Sequence, residues 1–427
     1  MRVWLVQRAE STPHDDGGER RLLRVGILAD ILQSQGHEVV WWTSAFDHVG
    51  KEKRYQESTR VMVKENYYIH YLKCFGYKKN ISLSRFIDNQ MVTSQFKKDT
   101  RLDNKKPDII LTSIPSIELS QIAVSYANKN KIPIVLDIRD LWPDVFTELL
   151  PKSFSWIIDI LTIPMRKSLI DVCSKATAIS GITDDFINWG IEHSGRERNE
   201  KDVYFPMAYI KGDISEEKKV DAYLFWKKLG LVKNDKFLNV VFLGTFTNSF
   251  EFKTVFSAAK ILEDKGANVR FIFCGIGAKE PEIKHCCEGL SNCIFAGWIN
   301  AAQIKTILEL SDVGLAPYIH TKNFIENIPN KPAEYLSENL LIATSLERGK
   351  LYEFINSEEC GLSYGSDPAK LASFLENLAE DGEGLKRLIK NAEEAFSSEL
   401  DGKKTYYSMI NFLEKLTKQS SISKKNV

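Results

Sequence analysis

The segment from Asn323 to Ser345 gathers charged side chains around the start of a predicted helix. Its sequence, NFIENIPNKPAEYLSENLLIATS, puts Glu326 in a loop, Lys331 at the junction of loop and helix, and Glu334 in the first helical turn. The N–H groups of a helix N-terminus attract anions, and a neighbouring lysine can neutralise a phosphate. Carboxylates accept hydrogen bonds from sugar or ribose hydroxyls. The pattern suits a nucleotide-sugar. The alternative is that both glutamates only favour the positive end of a helix and that Lys331 is solvated.

A second polar cluster follows a predicted buried strand. The residues DIRDLWPD, Asp137–Asp144, bring carboxylates, an arginine and a tryptophan to the end of that strand. Such a cluster is more typical of a functional loop than of packing. Asp140 could orient or deprotonate a substrate hydroxyl, and Arg139 could bind a phosphate or fix Asp140 by an ion pair. The alternative is a purely structural Arg–Asp pair.

Length and composition limit the class of protein. At 427 residues the chain exceeds one typical core, which predicts two domains. A formal net charge of zero argues against a nucleic-acid-binding protein. The seven cysteines are irregularly spaced and indicate free thiols in a reducing compartment. The first ten residues do not resemble a signal peptide, and no run of eighteen apolar residues occurs, so we expect a cytoplasmic protein.

Strands and helices alternate in two separate runs, with a crossing near Asp202–Ile210. In the first run, Gly17 and Gly18 lie in the loop after the first strand. In the second, Gly244-Thr245 and Gly275–Gly277 follow successive strands. Ligands of open parallel sheets bind at such carboxyl ends. These glycines lack the dinucleotide fingerprint, so no nicotinamide cofactor is expected. The predicted strands are Val3–Val6, His37–Thr43, Asp108–Thr112, Ile132–Asp137, Ala176–Ser180, Phe237–Leu243, Val269–Cys274, Cys293–Ala296, Asp312–Ala316 and Leu340–Thr344.

The stretch Lys51–Lys106 is basic, with fourteen Lys/Arg against six Asp/Glu. Aromatic and aliphatic residues are interleaved with these charges. This composition suits an anionic membrane surface. The alternative is a pair of solvated helices whose apolar faces are core.

The spacing Glu326-x7-Glu334, with the wording IPNKPAEYL, resembles the donor-site motif of retaining glycosyltransferase family 4. The wording RDLWP resembles the members of that family that build bacterial polysaccharides on lipid carriers. The resemblance implies the α/β GT-B fold, with two Rossmann-like, doubly wound domains facing across a cleft. It further implies that the last helix crosses back to the first domain. We expect an acceptor domain of residues 1–207 with helix 403–418, a donor domain of residues 208–402, and a disordered tail, 419–427.

The resemblance also assigns roles to individual residues. Glu326 would face the donor sugar, Lys331 the diphosphate and Glu334 the ribose. Further donor contacts are expected from Gly244, Thr245, Gly275, Trp298, Ile299 and Asn330, and acceptor contacts from Gly17, Gly18, Arg20, Arg139, Asp140 and Ser180. Many such enzymes carry an Arg/Lys pair after the first strand of the donor domain. Here the stretch TFTNSFEFK offers only Lys253, which leaves Lys331 as the main cation.

The expected activity is transfer of a sugar, with retention, from a nucleotide donor to a lipid-diphosphate-linked glycan. The donor is expected to be UDP-linked, for example an N-acetylhexosamine or deoxy sugar. The product would enter O-antigen, capsule or exopolysaccharide synthesis, at the cytoplasmic surface of the inner membrane. Asp-Ile-Arg is not the Asp-x-Asp metal motif, so no metal or cofactor is expected. Two alternatives remain: a UDP-sugar 2-epimerase using His14, Asp140 and Glu326, and a non-catalytic scaffold of this fold.

Overall fold

The computed structural model describes the chain except for residues 19–20, 80–81, 150–154, 213, 234–235 and 426–427. The chain forms two compact units. Unit 1 comprises Met1–Phe205 and Lys404–Val427, and unit 2 comprises Pro206–Lys403. Among the described residues, no helix has both the length and the apolar content needed to span a bilayer.

Within the described part of unit 1, eight strands form one sheet in the order β3-β4-β2-β1-β5-β6-β7-β8. All neighbouring strands are parallel except β3 and β4. Strands β1, β5 and β6 are apolar runs buried along their whole length, as expected for parallel strands covered on both faces. The strands are β1 (Arg2–Val6), β2 (Glu38–Ser44), β3 (Thr59–Lys64), β4 (Tyr67–Leu72), β5 (Ile109–Ile114), β6 (Ile134–Ile138), β7 (Ala178–Gly181) and β8 (Val203–Tyr204).

Chain order reverses between β1 and β5, so the edge where these two strands end is the topological switch point of unit 1. Short 3-10 helices, Asp15–Gly18 and Asp144–Leu149, follow β1 and β6. The helices are α1 (Arg24–Ser34), α2 (Leu83–Leu102), α3 (Ile117–Lys129), α4 (Ser155–Lys175), α5 (Asp184–Ser194) and, after unit 2, α15 (Gly402–Lys425).

The stretch Lys51–Lys106 is not a pair of helices, which corrects one of the two interpretations offered for it. It forms the antiparallel pair β3 and β4 and the single helix α2. In β3 (TRVMVK) partly buried and exposed residues alternate, so this edge strand gives no continuous apolar signal. Arg60 and Lys64 of β3 pair with Asp103 and Asp30, which accounts for some of the basic residues as surface ion pairs.

In the described part of unit 2, six parallel strands follow the order β11-β10-β9-β12-β13-β14. This is the Rossmann order, with its switch point between β9 and β12. Alternate β9 residues belong to different core clusters, Val240 and Phe242 to one, Val241 and Leu243 to the other, so helices cover both faces of the sheet. The strands are β9 (Leu238–Leu243), β10 (Val269–Cys274), β11 (Cys293–Gly297), β12 (Val313–Ala316), β13 (Leu341–Thr344) and β14 (Gly361–Ser363).

Helices of unit 2 alternate with these strands. They are α6 (Glu216–Lys228), α7 (Lys253–Asp264), α8 (Glu280–Cys286), α9 (Ala301–Glu309), α10 (Lys322–Ile325), α11 (Asn330–Ser337), α12 (Lys350–Ser357), α13 (Pro368–Glu380) and α14 (Gly382–Ala395). A π-helical turn, Phe396–Leu400, leads from α14 towards α15.

The final helix returns to unit 1. Phe412 of α15 packs on Phe205, with ring centroids 5.7 Å apart, and Glu414 lies 3.3 Å from His37. The helix continues to Lys425, so the expected disordered tail, 419–427, is helical over most of its length. This part of the sequence contains neither proline nor glycine to end a helix.

Candidate functional site

Backbone hydrogen bonds that involve glycines connect the carboxyl ends of β9, β10 and β11. The Gly244 N–H donates to the Cys274 carbonyl (2.9 Å), and the Gly275 N–H donates to the Gly297 carbonyl (2.7 Å). Gly244 and Gly275 have φ values of +154° and +142°, which side chains rarely adopt. A Cβ on Gly275 would overlap the Gly244 carbonyl. Glycine is therefore required at this edge of the sheet.

Lys331 lies directly over Gly244. A Cβ built on Gly244 would be 2.8 Å from Lys331 Cε and 2.9 Å from Lys331 Nζ. The ammonium is also held near two aromatic faces, 4.6 Å from the Phe250 ring centroid and 5.6 Å from that of Phe242. The structure thus brings together Gly244, Gly275 and Lys331, the residues predicted to meet a diphosphate and base.

Helix α11 begins beside the same lysine, which is its second residue. Its N-cap residue, Pro329, makes no side-chain capping bond, and Pro332 occupies the first turn, as is common at helix starts. The opening N–H groups are therefore not occupied by a cap, an arrangement that suits an anion. Glu334, one turn further, is only 2% exposed. Its predicted contact with a ribose stays a prediction.

Tyr335 fixes this helix to the sheet, a role that the sequence did not reveal. Its hydroxyl accepts from the Leu243 N–H (3.2 Å) and donates to the Leu315 carbonyl (3.1 Å). It therefore bridges β9 and β12 at the switch point. The ring fills the space above Gly314, where any Cβ would overlap it. The sequence shows only that an aromatic residue follows Glu334. The hydrogen-bond partners of Tyr335 are 20 and 92 residues away along the chain, so its role could not be predicted from spacing.

The remaining predicted donor residues are spread over the same edge. Glu326 ends α10, and its carboxylate lies 3.8 Å from Lys322. Trp298 follows β11 and is 48% exposed, whereas Ile299 is 7% exposed and belongs to the core. Thr245 and Asn330 are exposed. Their roles towards a donor stay predictions, although burial leaves Ile299 little surface for a ligand.

Lys253 is exposed at the start of α7. It lines a shallow pocket of unit 2 together with Lys279, Glu251 and Glu282. Lys331, not Lys253, is the lysine that lies over the glycine edge.

In unit 1, a buried polar network lies under the ends of β1, β6 and β7. Asp137 accepts from Arg24 Nε (3.0 Å) and from the Ser180 hydroxyl (2.8 Å). Glu10 accepts from the N–H of Val25 at the start of α1 (2.8 Å) and from Arg139. Arg24 and Glu10 were not predicted, because their partners are distant in the chain.

This network includes Arg139 and Ser180, two residues for which contact with an acceptor stays a prediction. Arg139 pairs with Glu10 and lies 3.9 Å from Asp137. Burial opposes its charge, but these two carboxylates raise the pKa of Arg139. Ser180 is fully buried. Both side chains are held within the fold, which favours the structural interpretation of the arginine and does not support direct acceptor contact by Ser180.

The predicted glycine-rich acceptor loop is only partly described. Gly17 and Gly18 belong to the 3-10 helix after β1, and Gly17 has open space around the position of a Cβ. Arg20 lies outside the described residues. His14, named for the epimerase alternative, hydrogen-bonds through Nδ1 to the Tyr71 hydroxyl (3.0 Å). Acceptor contact by the glycines stays a prediction.

Asp140 differs from its neighbouring carboxylates. Asp144 accepts from Trp189 Nε1 (2.7 Å) and Arg166 (2.5 Å), and Asp137 is fixed by Arg24. Burial instead raises the pKa of the Asp140 carboxyl to about 7, against the opposing effects of the Leu141 N–H, Arg139, Trp142 and Arg85. A carboxylate with this pKa, at the end of a strand beside a switch point, has the properties of a general base.

Comparison with known proteins agrees with this description. Residues 238–381, within unit 2, match the sequence model of the family described as "Glycosyl transferases group 1". A search of curated proteins found no match. The sucrose-phosphate synthase of Thermosynechococcus elongatus is similar in structure, with a TM-score of 0.71 at 13% identity, covering 97% of this chain and 98% of that one.

Two further solved structures are similar over nearly the whole chain. WaaG, a glycosyltransferase involved in lipopolysaccharide biosynthesis, gives a TM-score of 0.63 at 14% identity, covering 94% of this chain and 98% of that one. Anabaena HepE, in complex with UDP and glucose, gives a TM-score of 0.63 at 12% identity, covering 97% of this chain and 100% of that one.

These similarities confirm the predicted GT-B fold. At such low identity they establish the fold alone. Together with the match of unit 2 to a glycosyltransferase family, the fold supports a glycosyltransferase. Membership of the retaining family 4 and the use of a lipid carrier remain predictions.

Proposed function

We propose that the protein is a retaining glycosyltransferase that moves a sugar from a UDP-linked donor to a lipid-diphosphate-linked glycan. The observation that carries the proposal is that Lys331, at the start of α11, lies over Gly244 at the carboxyl edge of the sheet. One protein with a similar fold, Anabaena HepE, is described in complex with UDP and glucose and in complex with UDP-glucose. No resident metal or cofactor is part of the proposal, because the sequence lacks the Asp-x-Asp motif.

The chemistry follows from this arrangement. The bond between the anomeric carbon and the diphosphate breaks, the diphosphate leaves with the bonding electrons, and the acceptor oxygen bonds to the same carbon. Negative charge grows on the leaving oxygens, where Lys331 and the helix N–H groups stabilise it. The acceptor hydroxyl gives up its proton, and we propose Asp140, whose pKa burial raises to about 7, as the group that receives it. Glu326 would hold the donor sugar and Glu334 the ribose.

A nucleotide screen tests the donor part of the proposal. We expect UDP to raise the melting temperature of the protein, because a ligand at 100 times its dissociation constant stabilises the folded state by about 2.7 kcal/mol. GDP, ADP and TDP serve as controls in the same thermal-shift experiment. A shift with another nucleotide instead of UDP would mean that the donor carries that nucleotide. No shift with any nucleotide contradicts the transferase and favours the scaffold. UDP-GlcNAc converted without an acceptor would indicate the epimerase.

The proposal includes docking at the cytoplasmic surface of the inner membrane. Support comes from α4, whose first half exposes Trp156, Ile160, Leu161 and Ile163, each at least 45% accessible. Because α4 follows the parallel strand β6, this half lies at the carboxyl edge of the sheet of unit 1, where Asp140 also lies. Lys167, further along the helix, is exposed, whereas Arg166 pairs with Asp144. An exposed apolar helix start near a lysine suits an anionic bilayer surface.

Vesicle flotation tests this docking. We expect the protein to float with vesicles containing phosphatidylglycerol, and Leu161→Gln to reduce the bound fraction several-fold, because it removes the most exposed side chain of the patch. Leu102→Gln is the matched control, since Leu102 is equally exposed at the far end of α2. Equal loss in both variants, or no flotation at low salt, would argue against docking by α4.

A further inference from the structure

The loop between β9 and α7 brings an aromatic side chain to the candidate donor residues. Its sequence, TFTNSFEFK, contains three phenylalanines and one lysine. Phe246 and Phe252 are buried in the core of unit 2, whereas Phe250 is only half-buried. The Phe250 ring approaches Lys331, whose ammonium lies over Gly244. The loop therefore contributes to the surroundings of the charge that the candidate site depends on.

Backbone contacts hold this loop against the edge of the sheet. Phe250 pairs with Tyr318 in an antiparallel bridge. Beside this bridge, the Glu251 N–H donates to the Pro317 carbonyl (2.7 Å). Pro317 follows β12 directly, so the bridge joins the loop after β9 to the loop after β12, across the switch point of unit 2. The backbone of Phe250 is therefore fixed relative to both strands.

Aromatic neighbours fix the Phe250 ring itself. Its centroid lies 5.0 Å from that of Phe242, with the ring planes 76° apart, and 5.6 Å from that of Tyr318. The Phe252 ring is a third neighbour, with a centroid distance of 6.1 Å. Edge-to-face contacts of this kind favour one orientation of a ring. The core of unit 2 thus sets the direction in which the Phe250 ring faces.

An aromatic ring can hold an ammonium without cancelling its charge. Lys331 Nζ lies over the Phe250 ring, 4.6 Å from its centroid. The ring attracts the ammonium through its quadrupole but carries no net charge, so the charge stays available to an anion. A lysine side chain is flexible, and such a contact restricts the positions of its end. A charge that stabilises a transition state is most effective when it is in position before the reaction.

We propose that Phe250 is a positioning residue, whose ring holds the Lys331 ammonium over Gly244 for the charge that develops on the leaving diphosphate. The inference rests on the proposed function, because that function supplies the diphosphate. Phe250 would not touch the reacting atoms and would act through Lys331 alone. Its side chain has no polar atom, which is why the search for polar side chains at strand ends did not select it.

Nuclear magnetic resonance of the full chain, with lysine labelled by carbon-13 at the ε position, tests the contact without turnover. Protons over an aromatic face resonate upfield of their usual position. We expect an upfield ε-methylene resonance for Lys331, assigned by its absence from Lys331→Met. Phe250→Leu should move this resonance towards the usual position, because leucine has no ring. Phe250→Tyr should leave it shifted.

A double-mutant cycle tests the positioning role. We expect Phe250→Leu to lower kcat with a UDP-sugar by about five- to thirtyfold, as for the loss of a partly buried cation–π contact. The same substitution in Lys331→Met should have no further effect, because the ammonium that the ring holds is absent. KM for the donor should change less than kcat, since the charge on the diphosphate grows in the transition state. Phe250→Tyr should keep kcat within about twofold of the wild type.

Phe256→Leu is the matched control. Phe256 is a core residue of α7, 4% exposed, and its ring centroid lies 6.1 Å from that of Phe252. This variant should lower the melting temperature at least as much as Phe250→Leu, because it removes a more buried ring. It should leave the Lys331 resonance and kcat unchanged. Equal losses of kcat in the two variants would mean a general loosening of unit 2 and would contradict the proposal.

Two further results would overturn the proposal. A Lys331 resonance that is unshifted in the wild type, or equally shifted in Phe250→Leu, would show that the ring does not hold the ammonium. Equal losses of kcat from Phe250→Leu in the wild type and in Lys331→Met would show that Phe250 does not act through the lysine. The proposed function fails separately: an upfield resonance that depends on Phe250, with no nucleotide-induced rise in melting temperature, would leave the contact in place and contradict the transferase.

Discussion

Asp140→Asn is expected to lower kcat by about 10²–10⁴-fold, the usual contribution of a general base. The wild-type rate should rise with pH through about 7, because burial raises the pKa of the Asp140 carboxyl to about 7 and only the ionised form accepts a proton. Below that pH the rate should fall about tenfold per unit. The residual rate of the variant should lose this dependence. A pH–rate profile of both proteins with the same donor and acceptor is the measurement.

The same substitution should stabilise the protein above neutral pH. A carboxyl whose folded pKa is raised binds a proton that the unfolded chain releases, so stability is lost as pH rises from about 4 to 7. Asn has no charge to bury. A pKa shift of one unit corresponds to about 1.4 kcal/mol of free energy. Because Asp140 is partly exposed, we expect the substitution to raise the free energy of unfolding at pH 8 by only about 1–2 kcal/mol. The gain should vanish near pH 4.

Asp144→Asn is the matched control, because its carboxylate is already held by Trp189 and Arg166. It should lose stability at pH 8 and keep the pH profile of the rate. Urea unfolding at pH 4 and pH 8 separates the two carboxylates. A loss of stability in Asp140→Asn at pH 8 would contradict the raised pKa of Asp140. A wild-type rate in this variant would show that Asp140 is not the general base.

Lys331→Met is expected to weaken UDP binding at least tenfold and to lower kcat by about 10²–10³-fold with a UDP-sugar. Methionine keeps a long apolar side chain against Phe242 and Phe250 but removes the charge over Gly244. The loss in kcat should exceed the loss in donor affinity, because charge on the diphosphate grows in the transition state. Steady-state kinetics over a range of donor concentrations resolves the two effects.

Lys265→Met provides the comparison, since Lys265 of unit 2 pairs with Glu376 on the surface. It should leave donor affinity and kcat unchanged. Equal donor affinity in Lys331→Met and the wild type would show that the diphosphate does not lie over Gly244. A loss in binding without any further loss in kcat would leave Lys331 a binding residue with no part in leaving-group stabilisation.

Buried parallel strands were predictable because their signal is local. Continuous apolar runs located β1, β5, β9, β10 and β13 to within two residues. The edge strand β3 was missed, since its alternation of partly buried and exposed residues resembles solvated surface. The helix α4 was not predicted. Its apolar residues are not confined to a buried face, so the helical spacing of buried residues does not predict where the helix begins and ends.

The helix that carries the candidate donor residues could be predicted because one short segment contains them. Lys331 is the second residue of α11 and Glu334 follows one turn later, and their roles towards a donor stay predictions. Arg139 and Ser180 were assigned to a ligand because both lie at strand ends. The register, however, sets Ser180 opposite Asp137 on the adjacent strand, and Glu10 reaches Arg139 from β1. Such pairings join residues 43 and 129 positions apart, and composition or spacing cannot predict them.

The return of α15 to unit 1 has a consequence for the order of folding during synthesis. Unit 2 is continuous from Pro206 to Lys403, and its two ends meet where the Tyr209 carbonyl accepts from the Gly402 N–H (2.8 Å). Unit 1 instead buries Tyr406, Met409, Ile410, Leu413 and Leu416 of α15. The ribosome makes these residues after every strand of either sheet. Unit 1 is therefore translated first but keeps an uncovered apolar face until α15 has been made. Unit 2, which is translated in between, can complete its core before that.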